Sequence, residues 1–316
     1  GTIKPKANFD AKEDAVALRK ALEGLGTKEK VLIEILTTRS SSQRQLICAA
    51  YQEATSRTLL EDIKGDTHGS FEALLVALIT PPALFDCHEV MRAMKGPGTN
   101  EDILIEIFAS RSNAQISALN EAYSQGFSWF YKGKREESTA VDQGKAKEDA
   151  KVQNEHQEAF LFMAEHILSL RFSTLYNAGE KKWGTDERKF IDILCNRSVA
   201  QLKQTLVEYT SISGKTLQQS IESEMSGELE RLLLAIVKCV NSVPAFFAEL
   251  LYKSMKGCGT DESTLTRIMV SRSEVDLLDI RAEYKKLYES SLYSAIKSDC
   301  SGDYKKTLLK ICGDKD

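Results

Sequence analysis

Apolar residues in this chain fall in adjacent pairs one helical turn apart. After Thr27 come Val31, Leu32, Ile35 and Leu36, and after Thr99 come Ile103, Leu104, Ile107 and Phe108. The i, i+1, i+4, i+5 spacing wraps one apolar stripe around a helix, so an amphipathic helix is expected to start just after each threonine. The threonine itself is expected to be the N-cap, its hydroxyl accepting from an early helical N–H. Strand-like alternation is scarce and only five prolines occur. The pattern therefore predicts an all-α protein.

The same segment recurs. Gly24-Leu-Gly-Thr27, Gly96-Pro-Gly-Thr99, Lys182-Trp-Gly-Thr185 and Gly257-Cys-Gly-Thr260 align, and twelve residues after each threonine stands an arginine followed by serine: Arg39, Arg111, Arg197 and Arg272. Self-similarity at two fixed offsets implies four repeats of about 70–85 residues. The tripeptide before each threonine reads as a tight, exposed turn between two helices. The four arginines are expected to tie helix ends together by hydrogen bonding rather than to bind phosphate.

Thirty-nine residues after the threonine, repeats one, three and four carry Asp66, Glu224 and Asp299, each in a second polar turn, and three residues further on stand Gly69, Gly227 and Gly302. A turn with bare glycines leaves main-chain carbonyls pointing outward, and a carboxylate from another turn can meet them. That is an all-oxygen site for a hard cation. Three carbonyls and a bidentate carboxylate supply five of the roughly 6–8 oxygens that Ca²⁺ takes, leaving positions for water or for a lipid phosphoryl oxygen. Such a site should bind calcium better with lipid present, each ligand completing the other's coordination.

Composition narrows the partners. With 42 basic and 46 acidic side chains the net charge is −4, which speaks against nucleic acid and against a polybasic membrane anchor. No uninterrupted apolar run approaches the ~20 residues of a bilayer span. The opening Gly1–Asp10 has no apolar core of a signal peptide. Seven cysteines form no CxxC pair and no zinc spacing, and are expected to be reduced, intracellular, small buried hydrophobes. Gly214-Lys-Thr216 lacks the first glycine of a P-loop, and no EF-hand loop, HExxH pair or GxSxG elbow occurs.

The pattern G-x-G-T, thirty-eight residues, then Asp or Glu resembles the annexin endonexin repeat, and the likeness extends to Met94-Lys-Gly-Pro-Gly-Thr99, Met255-Lys-Gly-Cys-Gly-Thr260 and Ser271-Arg-Ser-Glu-Val-Asp276. The resemblance implies a right-handed superhelix of four five-helix repeats forming a slightly curved disc, with calcium loops on its convex face. It implies no enzymatic activity, and reversible, calcium-dependent docking of a cytoplasmic protein on anionic, phosphatidylserine-like membranes. Carried over position by position, the ligands are the carbonyls of Leu22, Gly24 and Gly26 with Asp66, and of Met255, Gly257 and Gly259 with Asp299. In the variant loop of repeat three, Gly179, Lys182 and Gly184 offer carbonyls to Glu224. Met94, Gly96 and Gly98 would offer the same carbonyls in repeat two. Leu25, Pro97, Trp183 and Cys258 form the loop tips, and Leu25 and Trp183 are expected to touch the membrane, Trp183 at the headgroup–acyl boundary.

Repeat two departs from this pattern. Thirty-nine and forty-two residues after Thr99 stand Ser138 and Val141, so the carboxylate is missing, and the resemblance to annexins implies that about twenty residues are absent after Tyr123. An atypical segment, 151–173, carries Phe160, Met163, Ile167 and Leu170 at helical spacing. It is expected to be mostly helical and to cover part of the repeat-two core. The expected organisation is a tail over 1–11, repeat one over 12–82, a truncated repeat two with connector over 83–150, the atypical segment over 151–173, repeat three over 174–241 and repeat four over 242–316. The tail is a further expected site for protein partners. A soluble helical scaffold with vestigial loops is the alternative expectation.

Overall fold

The computed structural model describes residues 1–23, 26–95, 99–135 (backbone only from 125), 194, 198–257 and 259–313. Among them are fifteen helices and no strand. The chain divides into two compact units, one made of Gly1–Phe85 with Ser242–Asp316, the other of Asp86–Asn241.

Repeat one shows the complete plan: α1 (Ala11–Leu22), α2 (Glu29–Thr37), α3 (Ser41–Thr55), α4 (Leu59–Asp66) and α5 (Gly69–Ile79). Two of these helix starts have a clear local cause. Ser40 and Gln43 form a capping box at α3, and Thr58 and Glu61 form another at α4. Leu18, Leu32, Leu36, Ile47, Ile63, Leu74 and Leu78 are fully buried between these helices, where truncating any one to alanine would cost about 2–5 kcal/mol.

Repeat two begins with α6 (Pro82–Met94), whose first residue is a proline with its ring already preset for a helix, and continues with α7 (Glu101–Ser110) and α8 (Asn113–Arg135). Repeat three has α9 (Val199–Ser213) and α10 (Leu217–Glu224), each opened by a capping box, Ser198 with Gln201 and Thr216 with Gln219. Next comes α11 (Gly227–Met255), then α12 (Glu262–Arg272), α13 (Leu277–Tyr288), α14 (Leu292–Asp299) and α15 (Gly302–Cys312). The span of α11 is long and apolar enough to cross a membrane by length and composition. It is two helices: Ser242 leaves helical geometry at φ −159°, ψ 107°, its hydroxyl accepts from Ala245 N at 3.2 Å, and Pro244 follows. The first half packs Leu229, Leu233, Val237 and Val240 into the core of repeat three, and the second buries Phe246, Phe247, Ala248 and Leu251 in repeat four.

The third helix of a repeat stops at the same place in three of the four. Ser56, Gly214 and Glu289, each seventeen residues after the repeat's arginine, adopt left-handed backbone at φ 59°, 71° and 55°. In repeat two the equivalent position is Ser128, and α8 runs through it. Among the described residues the core of repeat two draws on three helices: Cys87, Val90 and Ala93 of α6, Ile103, Leu104 and Ile107 of α7, and Leu119 and Tyr123 of α8. The segment expected over 151–173 lies outside the described residues. Because the left-handed region disfavours a Cβ, Ser56→Gly and Glu289→Gly should each stabilise the chain by about 0.5–1 kcal/mol. Chemical denaturation of each variant checks this, and unchanged or lower midpoints would count against it.

The repeat arginines do tie helix ends. Arg39 at the end of α2 makes a two-pronged pair with Asp14 of α1, Nε to Oδ2 at 2.7 Å and Nη2 to Oδ1 at 2.8 Å. Arg111 does the same with Asp86, at 2.7 and 2.8 Å. In repeat four the residue at this twenty-five-residue offset is Phe247. Arg272 lies over its ring at 4.8 Å and takes its carboxylate from Asp276, at 2.8 and 2.6 Å. Arg197 lies outside the described residues. Of the cysteines, Cys87, Cys239, Cys300 and Cys312 are buried and Cys48 is half-buried. Burial pushes the Cys48, Cys87 and Cys300 thiols up to about 11, so they stay protonated and unreactive.

Candidate metal-binding loops

The expected carbonyl donors sit where a helix ends. Leu22, Met94 and Met255 are the last residues of α1, α6 and α11. Beyond each, a backbone hydrogen bond closes the loop at one register: Lys28 N to Ala21 O at 2.9 Å, Asn100 N to Ala93 O at 2.8 Å and Asp261 N to Ser254 O at 2.7 Å. The loop is thus pinched shut at its base by a main-chain hydrogen bond. Gly26, Gly257 and Gly259 are exposed and have φ of +92°, +120° and +104°, with open space where a Cβ would stand. The requirement for glycine is therefore conformational and not steric. Gly259→Ala should lower calcium affinity in repeat four while leaving the fold intact. Calcium titration beside a thermal melt checks both, and unaltered binding would contradict the loop's role.

The carboxylates also share one place. Asp66, Glu224 and Asp299 are the final residues of α4, α10 and α14, and the glycine three residues on opens the next helix at φ +66°, +75° and +61°. The equivalent positions of repeat two, Ser138 and Val141, lie outside the described residues. A carboxylate at a helix C-terminus faces the negative end of the helix dipole, an arrangement unfavourable by about 0.3–1 kcal/mol at an exposed site. A bound cation reverses that balance.

The threonine does not cap the helix as expected. The N-cap residues are those that follow it: Lys28, which caps with no side-chain bond, Asn100, which accepts from Ile103 N at 3.4 Å, and Asp261, which accepts from Thr264 N at 3.0 Å. One residue further back, the threonine is free to reach the carboxylate turn. Thr27 Oγ1 donates to the carbonyl of Asp66 at 3.0 Å, and Thr260 Oγ1 donates to Asp299 Oδ2 at 2.6 Å. These bonds bring loop and carboxylate together in repeats one and four.

Gly24, Gly96, Gly98, Gly179, Lys182 and Gly184, and the tips Leu25, Pro97, Trp183 and Cys258, lie outside the described residues. Repeat three therefore contributes its carboxylate turn alone to the described site. The donor set that is described, main-chain oxygen plus one carboxylate, suits a hard cation. Among the described residues no three His, Cys, Asp or Glu side chains cluster about a point.

The sequence profile of the annexin family matches residues 13–78, 85–128, 171–236 and 246–311. The second match ends at residue 128, where the sibling repeats place their left-handed stop. The chain is 50% identical to annexin A3 of Homo sapiens, covering 100% of this chain and 97% of that protein. The solved structure of annexin III superposes with a TM-score of 0.82 at 50% identity, covering 100% of this chain and 98% of that one. A calcium-bound annexin (Sm)1 superposes at 0.75 with 32% identity, covering 99% and 93%. The chain thus belongs to the annexin family, whose members bind calcium and, through it, phospholipid.

Proposed function

We propose that this annexin docks reversibly on anionic membranes through calcium ions shared between its loops and lipid headgroups. In repeat one the ion would be held by the carbonyls of Leu22, Gly24 and Gly26 with Asp66. In repeat four it would be held by Met255, Gly257 and Gly259 with Asp299, and in repeat three by Gly179, Lys182 and Gly184 with Glu224. Met94, Gly96 and Gly98 lack a carboxylate partner in repeat two, so that loop contributes little on its own. Leu25 and Trp183, at loop tips, would enter the headgroup region.

The observation that carries this reading is the paired geometry of repeats one and four, in which a closed glycine loop is tied by its threonine to the acidic residue at a helix C-terminus, through the main-chain carbonyl of Asp66 in one and the carboxylate of Asp299 in the other. The calcium-bound state of annexin (Sm)1 supports the choice of ion. With net charge −4 the chain and an anionic surface repel, so the divalent ion is the natural bridge. Phosphate oxygens are the remaining donors a hard cation takes readily, and phosphatidylserine adds a carboxylate.

The protein acts by binding in this reading, on the cytoplasmic side of membranes and without catalysis. Protein partners at the tail would read the exposed Lys4, Pro5 and Lys6. Ile3 is buried, and the backbone is held by Thr2 N to Ser273 O at 2.7 Å and Lys6 N to Gln43 Oε1 at 2.9 Å. Vesicle composition tests the reading. At fixed calcium, vesicles containing phosphatidylserine should take up the protein, and vesicles of phosphatidylcholine alone should leave it in solution. Equal uptake by both would overturn the headgroup bridge.

A further inference from the structure

Calcium sites in different repeats need not act independently, and one residue in repeat four bonds to the first turn of both helices that follow the carboxylate turns of its unit. Glu262 opens α12 two residues after Thr260. Its carboxylate accepts from the hydroxyl of Ser70, in the first turn of α5 and four residues beyond Asp66. Its main-chain carbonyl accepts from the hydroxyl of Tyr304 at 3.1 Å, and that hydroxyl also meets Thr266 Oγ1 at 2.9 Å. Tyr304 is buried in the first turn of α15, five residues beyond Asp299. Each carboxylate is thus separated by a single turn from a hydroxyl that grips Glu262.

The arrangement recurs in the other unit with different chemistry. Arg231, four residues after Gly227 at the start of α11, pairs with Asp102 on α7, three residues after Thr99. There the carboxylate turn of repeat three is joined to the loop helix of repeat two. In both repeat pairs the helix after a carboxylate turn is joined to the helix after a glycine loop, by a hydroxyl–carboxylate bond in one and an ion pair in the other, at neighbouring but not identical positions.

Resting on the calcium reading above, the geometry points to Ser70 and Glu262 as positioning residues that couple the sites of repeats one and four, so that filling one raises the affinity of the other. A cation on Asp66 fixes the turn from Asp66 to Ser70 and, through Glu262, the start of α12. Thr260 and Asp299 then have less freedom to lose when the second ion binds. Neither Ser70 nor Glu262 is a ligand.

The test uses the full chain with repeat three silenced by Glu224→Gln. Calcium binding is measured by calorimetry for the two-site protein and for the single-site proteins made by adding Asp66→Asn or Asp299→Asn. With Ser70 present, the second ion is expected to bind about fivefold more tightly than the single sites allow. Ser70→Ala should abolish that excess and leave each single-site affinity unchanged, and Ser70→Thr, which keeps the hydroxyl, should restore it. Two-site binding that equals the sum of the single sites, or an excess that survives Ser70→Ala, overturns the coupling. Absence of calcium uptake in every single-site protein contradicts the site assignment itself, a failure distinguishable from loss of coupling.

Discussion

Replacing Asp66, Glu224 and Asp299 together with alanine should abolish calcium-dependent vesicle binding while leaving the helical fold in place. Each carboxylate ends an exposed or half-buried helix terminus and supplies the only side-chain ligand proposed for its loop. Without it a loop offers neutral carbonyls, too few and too weakly charged to hold a divalent ion against water. Removing the charge relieves the unfavourable helix-dipole contact and offsets the lost Thr260–Asp299 bond, so the triple variant in chelator should keep its helical content and melt close to the parent. Circular dichroism and co-sedimentation read the two effects separately. Retained calcium-dependent pelleting would remove the carboxylates from the account, and a collapsed melting curve would make them structural.

The largest stability effect is expected at the buried ion pairs. Asp14→Ala would leave the Arg39 guanidinium, with its side chain 8% exposed, facing the vacated space with only Thr38 Oγ1 at 2.8 Å as a remaining side-chain partner. Breaking a buried pair in this way costs about 3–5 kcal/mol. Asp276→Ala should cost less. Arg272 keeps the face of Phe247, and the lost carboxylate is the more exposed of the two. Denaturant midpoints for the two variants give the comparison, and equal losses would show that the ring contributes nothing to holding Arg272.

Much of this was legible in the sequence because a repeat reports the same position several times. The apolar pairs after Thr27 and Thr99, the recurring arginine and the carboxylate thirty-nine residues on each correspond to a helix, an interhelical tie and a turn in the structure. The role of the threonine was misread because capping preference is a local rule. A tertiary partner took the hydroxyl instead, and the neighbouring Asn100 and Asp261 cap better. Main-chain closure of the loops leaves no sequence signal, since any residue but proline can donate it. The Asp14–Arg39 and Asp86–Arg111 offset was visible in principle, but Phe247 breaks it in repeat four. In repeat two the missing carboxylate and glycine were plain from Ser138 and Val141. The continuation of α8 through Gly126 and Ser128 was not, because glycine lowers helix propensity without forbidding it. Ser70, Glu262, Arg231 and Asp102 were missed for a simpler reason. Each sits near the start of a helix, where a polar residue is expected anyway, and these pairings arise only from the packing of one repeat on another.

Annexin membership fixes the calcium-dependent phospholipid binding in general terms, and the bridging geometry proposed here makes a sharper demand. Membrane attachment must be absent without the ion, present with it, and undone when it is withdrawn. The direct measurement is co-sedimentation of the unmodified protein with phosphatidylserine vesicles, first in calcium and then after addition of excess chelator. The protein should pellet in calcium and return to the supernatant with chelator. Pelleting that persists in chelator, or none at millimolar calcium, would contradict the calcium bridge.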